Sequence, residues 1–154
     1  DILLMYAESL NHLTKAYEIK LGDETYSVSR DLNEIKSAFN LVRHRSGMPG
    51  ISNNDLADEE TFQKILEIER MKEFLHEGQR YFDVRRWGIY EETENETIMG
   101  MNVDGSKENF YQRTVPNTSR IGARLVHKKL YLLPIPLNEI RKLPSCDQNP
   151  DWES

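Results

Sequence analysis

Glu69, Glu73 and Glu77 recur at intervals of four, which on a helix puts three carboxylates on one face. Paired carboxylates are the equipment of glycoside hydrolysis, but there the two groups face each other across the substrate. Carboxylates stacked along one helix point the same way, so they read as a solvated or arginine-paired stripe. His12, His44, His76 and His127 are dispersed. "HEGQR" at 76–80 opens like a zinc-protease helix, but Arg80 stands where the second imidazole belongs. Cys146 is the single cysteine, which excludes an intrachain disulfide and a cysteine-based metal site. Neither a glycine-rich phosphate loop nor a G-x-S-x-G elbow occurs. No zinc site is expected from these residues, and a glycoside hydrolase using Glu69, Glu73 or Glu77 is the less favoured reading of the stripe.

The densest charge and aromatic cluster is "EGQRYFDVRRW", residues 77–87. Glu77 and Arg80 form one i,i+3 pair, and Asp83 and Arg86 form another, next to Trp87. Such pairs contribute only about 0.2–0.5 kcal/mol each on an exposed helix. They gain weight where guanidinium groups stack on aromatic rings or bond backbone carbonyls. Arg85 and Arg86 fall near the helix end, within reach of carbonyls in the following loop. The cluster therefore predicts a structural network of Glu77, Arg80, Asp83, Arg86 and Trp87. Within it, Arg80, Asp83 and Arg86 are expected to hold the helix against its neighbours and a later Pro-Ile-Pro segment.

The elements that must position these groups follow from periodicity. A first helix is predicted over about 2–19, with Ile2, Tyr6, Leu10, Leu13 and Tyr17 on its apolar face. Gly22 and Asp23 mark a break. A second helix over about 31–45 is capped by Asp31 or Ser29, buries Leu32, Ile35, Phe39 and Val42, and ends in Gly47 and Pro49. The two are expected to form a helical hairpin over 1–47. A third, long helix is predicted over 58–87, carrying Phe62, Ile65, Leu66, Ile68, Met71 and Leu75 on its apolar side. Gly78 is its weak point, and Gly88 its stop. Residues 88–154 read as a loop-rich segment and extended tail. Pro134 and Pro136 forbid a helix there, and "LNEIRKL" amounts to one helical turn. The fold class is thus mainly α.

The chain has 154 residues, 30% of them charged, and a net charge of -6. That length suits one domain with a real core. The acidic balance argues against nucleic acid as a partner, although Arg120, Arg124, Lys128 and Lys129 make a local basic group. Asn95 and Asn117 lie in N-x-S/T sequons, of consequence only in a eukaryotic secretory protein. The opening "DILLMYAESL" begins a helix without a polar lead-in. We expect it to belong to the C-terminal portion of a longer chain.

Four stretches, in order, resemble the SusD/RagB family. "ILEIERMKEFLHEGQRYFDVRRWG" resembles that family's E-R-x-x-E…E-G-x-R-[WY]-[FYW]-D-[LV]-x-R-[WF] helix. "LYLLPIPLNEIRKLPSCDQNPDW" resembles its P-I-P-x-x-E-I element and Q-N-P-G-[YW] ending. "ILLMYAESLN" and "FNLVRHRSGMP" are similar to its preceding Y-A-E-A-x-N and V-R-x-R-A-G-x-P strings. The departures are Asp151 for the usual Gly, Ser46 for Ala and Leu137 for a common Gln.

The resemblance implies a tetratricopeptide-like helical fold, no catalytic activity and no cofactor. It implies a glycan or other nutrient as ligand, a SusC-like TonB-dependent transporter as partner, and the outer face of the outer membrane in Bacteroidetes as location. The membrane attachment it implies is a lipid anchor near a mature N-terminus outside this sequence, so Cys146 is not the lipidated residue. Only the loop after residue 88 offers ligand candidates: Tyr90, Tyr111 and Arg113, with Phe110 beside them, because sugars are gripped by flat aromatics and forked polar groups. The alternative expectation is a tetratricopeptide-like scaffold for protein partners.

Overall fold

The computed structural model describes residues 1–103, 108–116, 125–143 and 145–152. Arg120, Arg124 and Asn117 lie outside the described residues. The described chain is mainly helical and divides into two compact units, Asp1–Arg80 and Tyr81–Ser154.

In the first unit, helix α1 spans Ile2–Asn11. It stops well short of the expected residue 19. Tyr17–Leu21 (β1) and Glu24–Val28 (β2) instead pair as an antiparallel hairpin, Ile19 opposite Tyr26. Tyr17, Ile19 and Leu21 alternate with Glu18 and Lys20, a period of two that suits a strand. Gly22, at φ 65°, supplies the left-handed first position of the two-residue turn. The apolar face of α1 also differs from expectation. Leu4, Ala7 and Leu10 are buried, whereas Ile2 is 82% exposed and Tyr6 is 43% exposed. The run Ile2-Leu3-Leu4-Met5 is apolar all round, so spacing alone could not choose its buried side.

Helix α2 spans Leu32–Arg45 and begins as predicted: the Asp31 carboxylate accepts from the backbone N–H groups of Asn33 and Glu34. It ends in a Schellman turn. The Met48 N–H bonds the Arg43 carbonyl, the Gly47 N–H bonds that of His44, and Gly47 takes φ 70°. Ile35, Ala38 and Phe39 are buried, but Leu32 at the exposed first turn is not. Helix α3, Glu59–Glu73, is capped by Asp58 through Thr61. Phe62 and Leu66 complete the core, and the Phe39 and Phe62 rings meet edge to face at 5.3 Å. Ile68, Met71 and Leu75, expected to bury, are exposed.

The predicted single helix over 58–87 is two. Helix α4 begins at Gln79 and runs to Arg86. Between α3 and α4, His76 adopts φ 68° and Gly78 φ 77°. Two left-handed residues cannot continue a right-handed helix, so the glycine read as a weak point belongs to a true break.

The second unit holds short elements: α5 (Tyr90–Glu94), the ribbon β3 (Gly100–Met101) with β4 (Arg113–Thr114), a 3-10 turn at Lys128–Tyr131 and α6 (Leu137–Lys142). The described residues of 88–154 are thus less irregular than expected: α5 falls inside the predicted loop and α6 is a six-residue helix rather than a single turn.

Candidate functional site

The glutamate stripe of α3 is arginine-paired. Arg43 Nη1 donates to Glu69 Oε2 at 2.7 Å with both side chains largely buried, and Arg45 pairs with Glu73. Arg43 also donates through Nε to the Pro49 carbonyl at 2.7 Å. The last turn of α2 is thereby tied to α3, and Glu77 stays exposed. Two carboxylates already neutralised by guanidinium groups have no free pair for acid–base work. His12 Nδ1 lies 2.6 Å from Glu59 Oε1. Among the described residues no group of three His, Cys, Asp or Glu side chains is placed to hold a metal ion.

Helix α4 ends in a second Schellman turn. The Ile89 N–H bonds the Val84 carbonyl, the Gly88 N–H bonds that of Arg85, and Gly88 has φ 75°. Asp83 is buried and accepts from Arg86 Nε at 2.9 Å, while the Arg86 guanidinium lies 4.5 Å from the Trp87 ring. Arg80 is half-buried and Glu77 exposed, and no bond joins them among the described residues. Arg85, which the pair-spacing argument passed over, is also engaged. Its guanidinium sits between the rings of Tyr81, at 3.5 Å, and Tyr90, at 3.9 Å. It donates to the carbonyls of Tyr81, at 2.8 Å, and Leu130, at 3.3 Å. Tyr81 four residues before it was the available signal.

Tyr90, expected as a ligand contact, is therefore engaged in packing. Its ring also meets Tyr131 edge to face at 5.4 Å. The Tyr131 hydroxyl accepts from the Tyr90 N–H at 2.9 Å and donates to the Gly88 carbonyl at 2.7 Å. Arg113 instead lies in β4 opposite Met101, and Tyr111 lies in the turn that leads into that ribbon. Phe110 and Tyr111 touch at 4.2 Å between ring centroids, and both are exposed. Tyr111 has φ 59°, a left-handed conformation unusual for an aromatic residue. Its N–H bonds the Asn102 carbonyl at 2.8 Å. The ribbon and this turn thus display an aromatic pair and a guanidinium together.

The "QNPDW" ending has a mechanical role that sequence reading did not supply. Pro134 and Pro136 have no N–H, so the stretch around them suits an extended segment or an edge strand, and here it is extended without a strand partner among the described residues. Gln148 closes a two-bond clamp on Ile135, with Oε1 accepting its N–H at 2.7 Å and Nε2 donating to its carbonyl at 2.9 Å. Asn149 Nδ2 donates to the Leu133 carbonyl at 2.7 Å. Trp152 Nε1 is shared between the carbonyls of Lys129 and Leu132, both at 2.9 Å. Side chains thus do what strand neighbours do elsewhere: they satisfy half-buried and exposed backbone groups.

The described chain is thus mainly helical, with capped helices, a clamped proline segment and this ending. The model of the SusD family matches residues 1–152, and the chain belongs to that family. Among solved structures it is similar to a SusD-like protein from Bacteroides fragilis, with TM-score 0.73 and 27% identity over 98% of this chain and 24% of that one. It is likewise similar to selenomethionine BT4246, with TM-score 0.70 and 26% identity over 98% of this chain and 23% of that one. The chain therefore spans about a quarter of the length of these relatives. No curated protein matches it.

Proposed function

We propose that this chain is the C-terminal portion of a non-catalytic receptor that binds a glycan or other nutrient at the outer face of the outer membrane. The receptor passes its ligand to a SusC-like TonB-dependent transporter and is held to the membrane by a lipid anchor outside this sequence. The observation that carries this reading is the match to the SusD family over nearly the whole chain. No helix among the described residues is long and apolar enough to cross a membrane. The pairing of Glu69 and Glu73 with arginines supports binding without turnover. Within this portion, Tyr111 and Arg113, with Phe110, are the ligand contacts we assign, because they are exposed together on one ribbon and the turn that leads into it. Asp83, Arg86 and Trp87 serve the fold, whereas Glu77 and Arg80 form no pair among the described residues.

The test is affinity purification of the complete, lipidated receptor from its own membranes, followed by glycan-binding assays. A co-purifying TonB-dependent transporter and saturable binding without hydrolysis are expected. Absence of both the transporter and any nutrient binding would overturn the reading.

A further inference from the structure

An open cleft of about 400 Å³ lies in the second unit, lined by Glu91, His127, Lys128, Lys129 and Asp151. That volume is within the range of small-ligand sites. Four of these five described liners are charged, two of each sign. Opposite charges facing one space would ordinarily close on each other. Here Glu91, Lys128, Lys129 and Asp151 form no ion pair among the described residues, and the Lys129 ammonium rests instead 4.6 Å from the Trp152 ring.

The backbone explains why they stay apart. Glu91 follows Tyr90, whose N–H is fixed by the Tyr131 hydroxyl. Its own carbonyl accepts the Asn95 N–H, and the Asn95 side chain clamps Val126 by two bonds, at 3.0 and 2.7 Å, next to His127. Lys129 is held by its carbonyl to the Trp152 indole, and Asp151 immediately precedes that indole. Every wall is thus anchored through a neighbouring residue, and the charges are presented on a prearranged frame. Asp151 also takes φ 65°, a conformation in which glycine is unstrained and aspartate is not.

Charge complementarity narrows the ligand. A simple anion meets two carboxylates, and a simple cation meets two ammonium groups. Among the described residues no Phe, Tyr or Trp ring lines the cleft to stack against a sugar face, and His127 is its single imidazole. A molecule carrying both charges satisfies all four groups with charge-assisted hydrogen bonds, about twice as strong as neutral ones. We propose that this cleft binds a small zwitterion, a free amino acid or a dipeptide. Glu91 and Asp151 receive its ammonium group, and Lys128 and Lys129 its carboxylate. The proposal deepens the nutrient-receptor reading and rests on it for its biological sense.

The probe is glycylglycine, titrated into the full chain and followed by amide NMR shifts. Controls are the doubly blocked N-acetylglycylglycine amide and maltose. Glycylglycine is expected to shift the amides of residues 91, 127–129 and 151, and added salt should weaken it. Asp151→Gly is expected to melt at a higher temperature yet bind about tenfold more weakly, as loss of a charge-assisted bond requires. Lys128→Gln should weaken binding without the thermal gain. Equal binding of the blocked analogue, unchanged affinity in Asp151→Gly, or no response to glycylglycine would each overturn the proposal. Maltose binding at other residues with no glycylglycine response would overturn it while leaving the receptor reading intact. A complete receptor without transporter or nutrient binding would do the reverse.

Discussion

Residues 1–80 contain ten of the twelve buried apolar residues described, Phe39, Phe62, Leu4 and Ile35 among them, whereas residues 81–154 contain only Val84 and Val126. The second region is ordered by another means. Gln148, Asn149, Trp152, Asn95 and Tyr131 each direct side-chain polar atoms onto backbone groups. The difference teaches that two kinds of order coexist in one chain. Apolar burial contributes about 25 cal/mol per Å² and is insensitive to direction. A hydrogen bond contributes about 1 kcal/mol net but fixes position, and leaving a buried partner unmade costs more than that. A cleft whose charges must be held apart belongs naturally in the second kind of region.

The largest expected effect tests the first half of this contrast. Phe39→Ala removes a fully buried ring that contacts Phe62. Urea unfolding should show a loss of about 3–5 kcal/mol, the transfer term plus a cavity term. A loss below about 1 kcal/mol would mean that the apolar cluster is not what stabilises residues 1–80. Next in size is Arg43→Ala, which leaves the Glu69 carboxylate, 7% exposed, without its guanidinium. Removing one partner of a buried pair costs about 3 kcal/mol or more, so the double replacement Arg43→Met with Glu69→Leu should be more stable than Arg43→Ala alone. If the double variant is no better, the pair is not an uncompensated-charge problem and the helix termini it joins are held otherwise.

A smaller effect, in the other region, is expected from Gln148→Ala. It leaves the Ile135 N–H and carbonyl without their two partners between two prolines. The cost should be about 1–3 kcal/mol. Hydrogen exchange should show it first at the Ile135 amide, where local opening becomes easier. Unchanged protection at that amide would remove the argument that side chains replace strand partners there.

How much of this was legible depended on whether a feature is local. Helix α2 was readable from end to end, because Asp31, the Ile35–Phe39 spacing and Gly47 each act within one turn of the backbone. The SusD-family membership was equally legible, because its motifs are strings. The buried side of α1 was not, since four consecutive apolar residues offer every side at once. The β1–β2 hairpin was hidden because Tyr17 also stands four residues after Leu13 and so continues a helical period. The break before α4 needed His76 in a left-handed conformation, which no composition rule assigns. For the candidate site, Tyr90 was drawn into packing by Arg85, five residues away across the Gly88 turn, and by Tyr131, forty-one residues away and invisible to local spacing. The cleft at Glu91 and Asp151 joins residues sixty apart, and nothing in either neighbourhood announces the other.

The smallest expected effect sharpens the contrast from within the first region, which also uses side-chain-to-backbone bonds at its helix starts. The Asp58 carboxyl is held below its ordinary range by the Thr61 hydroxyl and then by the Thr61 N–H, and that of Asp55 by the Ser52 N–H and hydroxyl. A carboxyl whose folded pKa lies below its unfolded value, about 3.9 for Asp, stabilises the fold fully above that unfolded value. The contribution is lost as pH falls through the folded pKa, because the protonated group no longer accepts as a carboxylate. Stability should therefore be flat in this respect near neutral pH and decline only below about pH 4. Asp58→Asn should remove part of that acid-side slope while leaving a capping oxygen in place. Urea melts of both proteins across the acid range decide it: parallel acid limbs would show that the Asp58 carboxylate does not couple protons to folding.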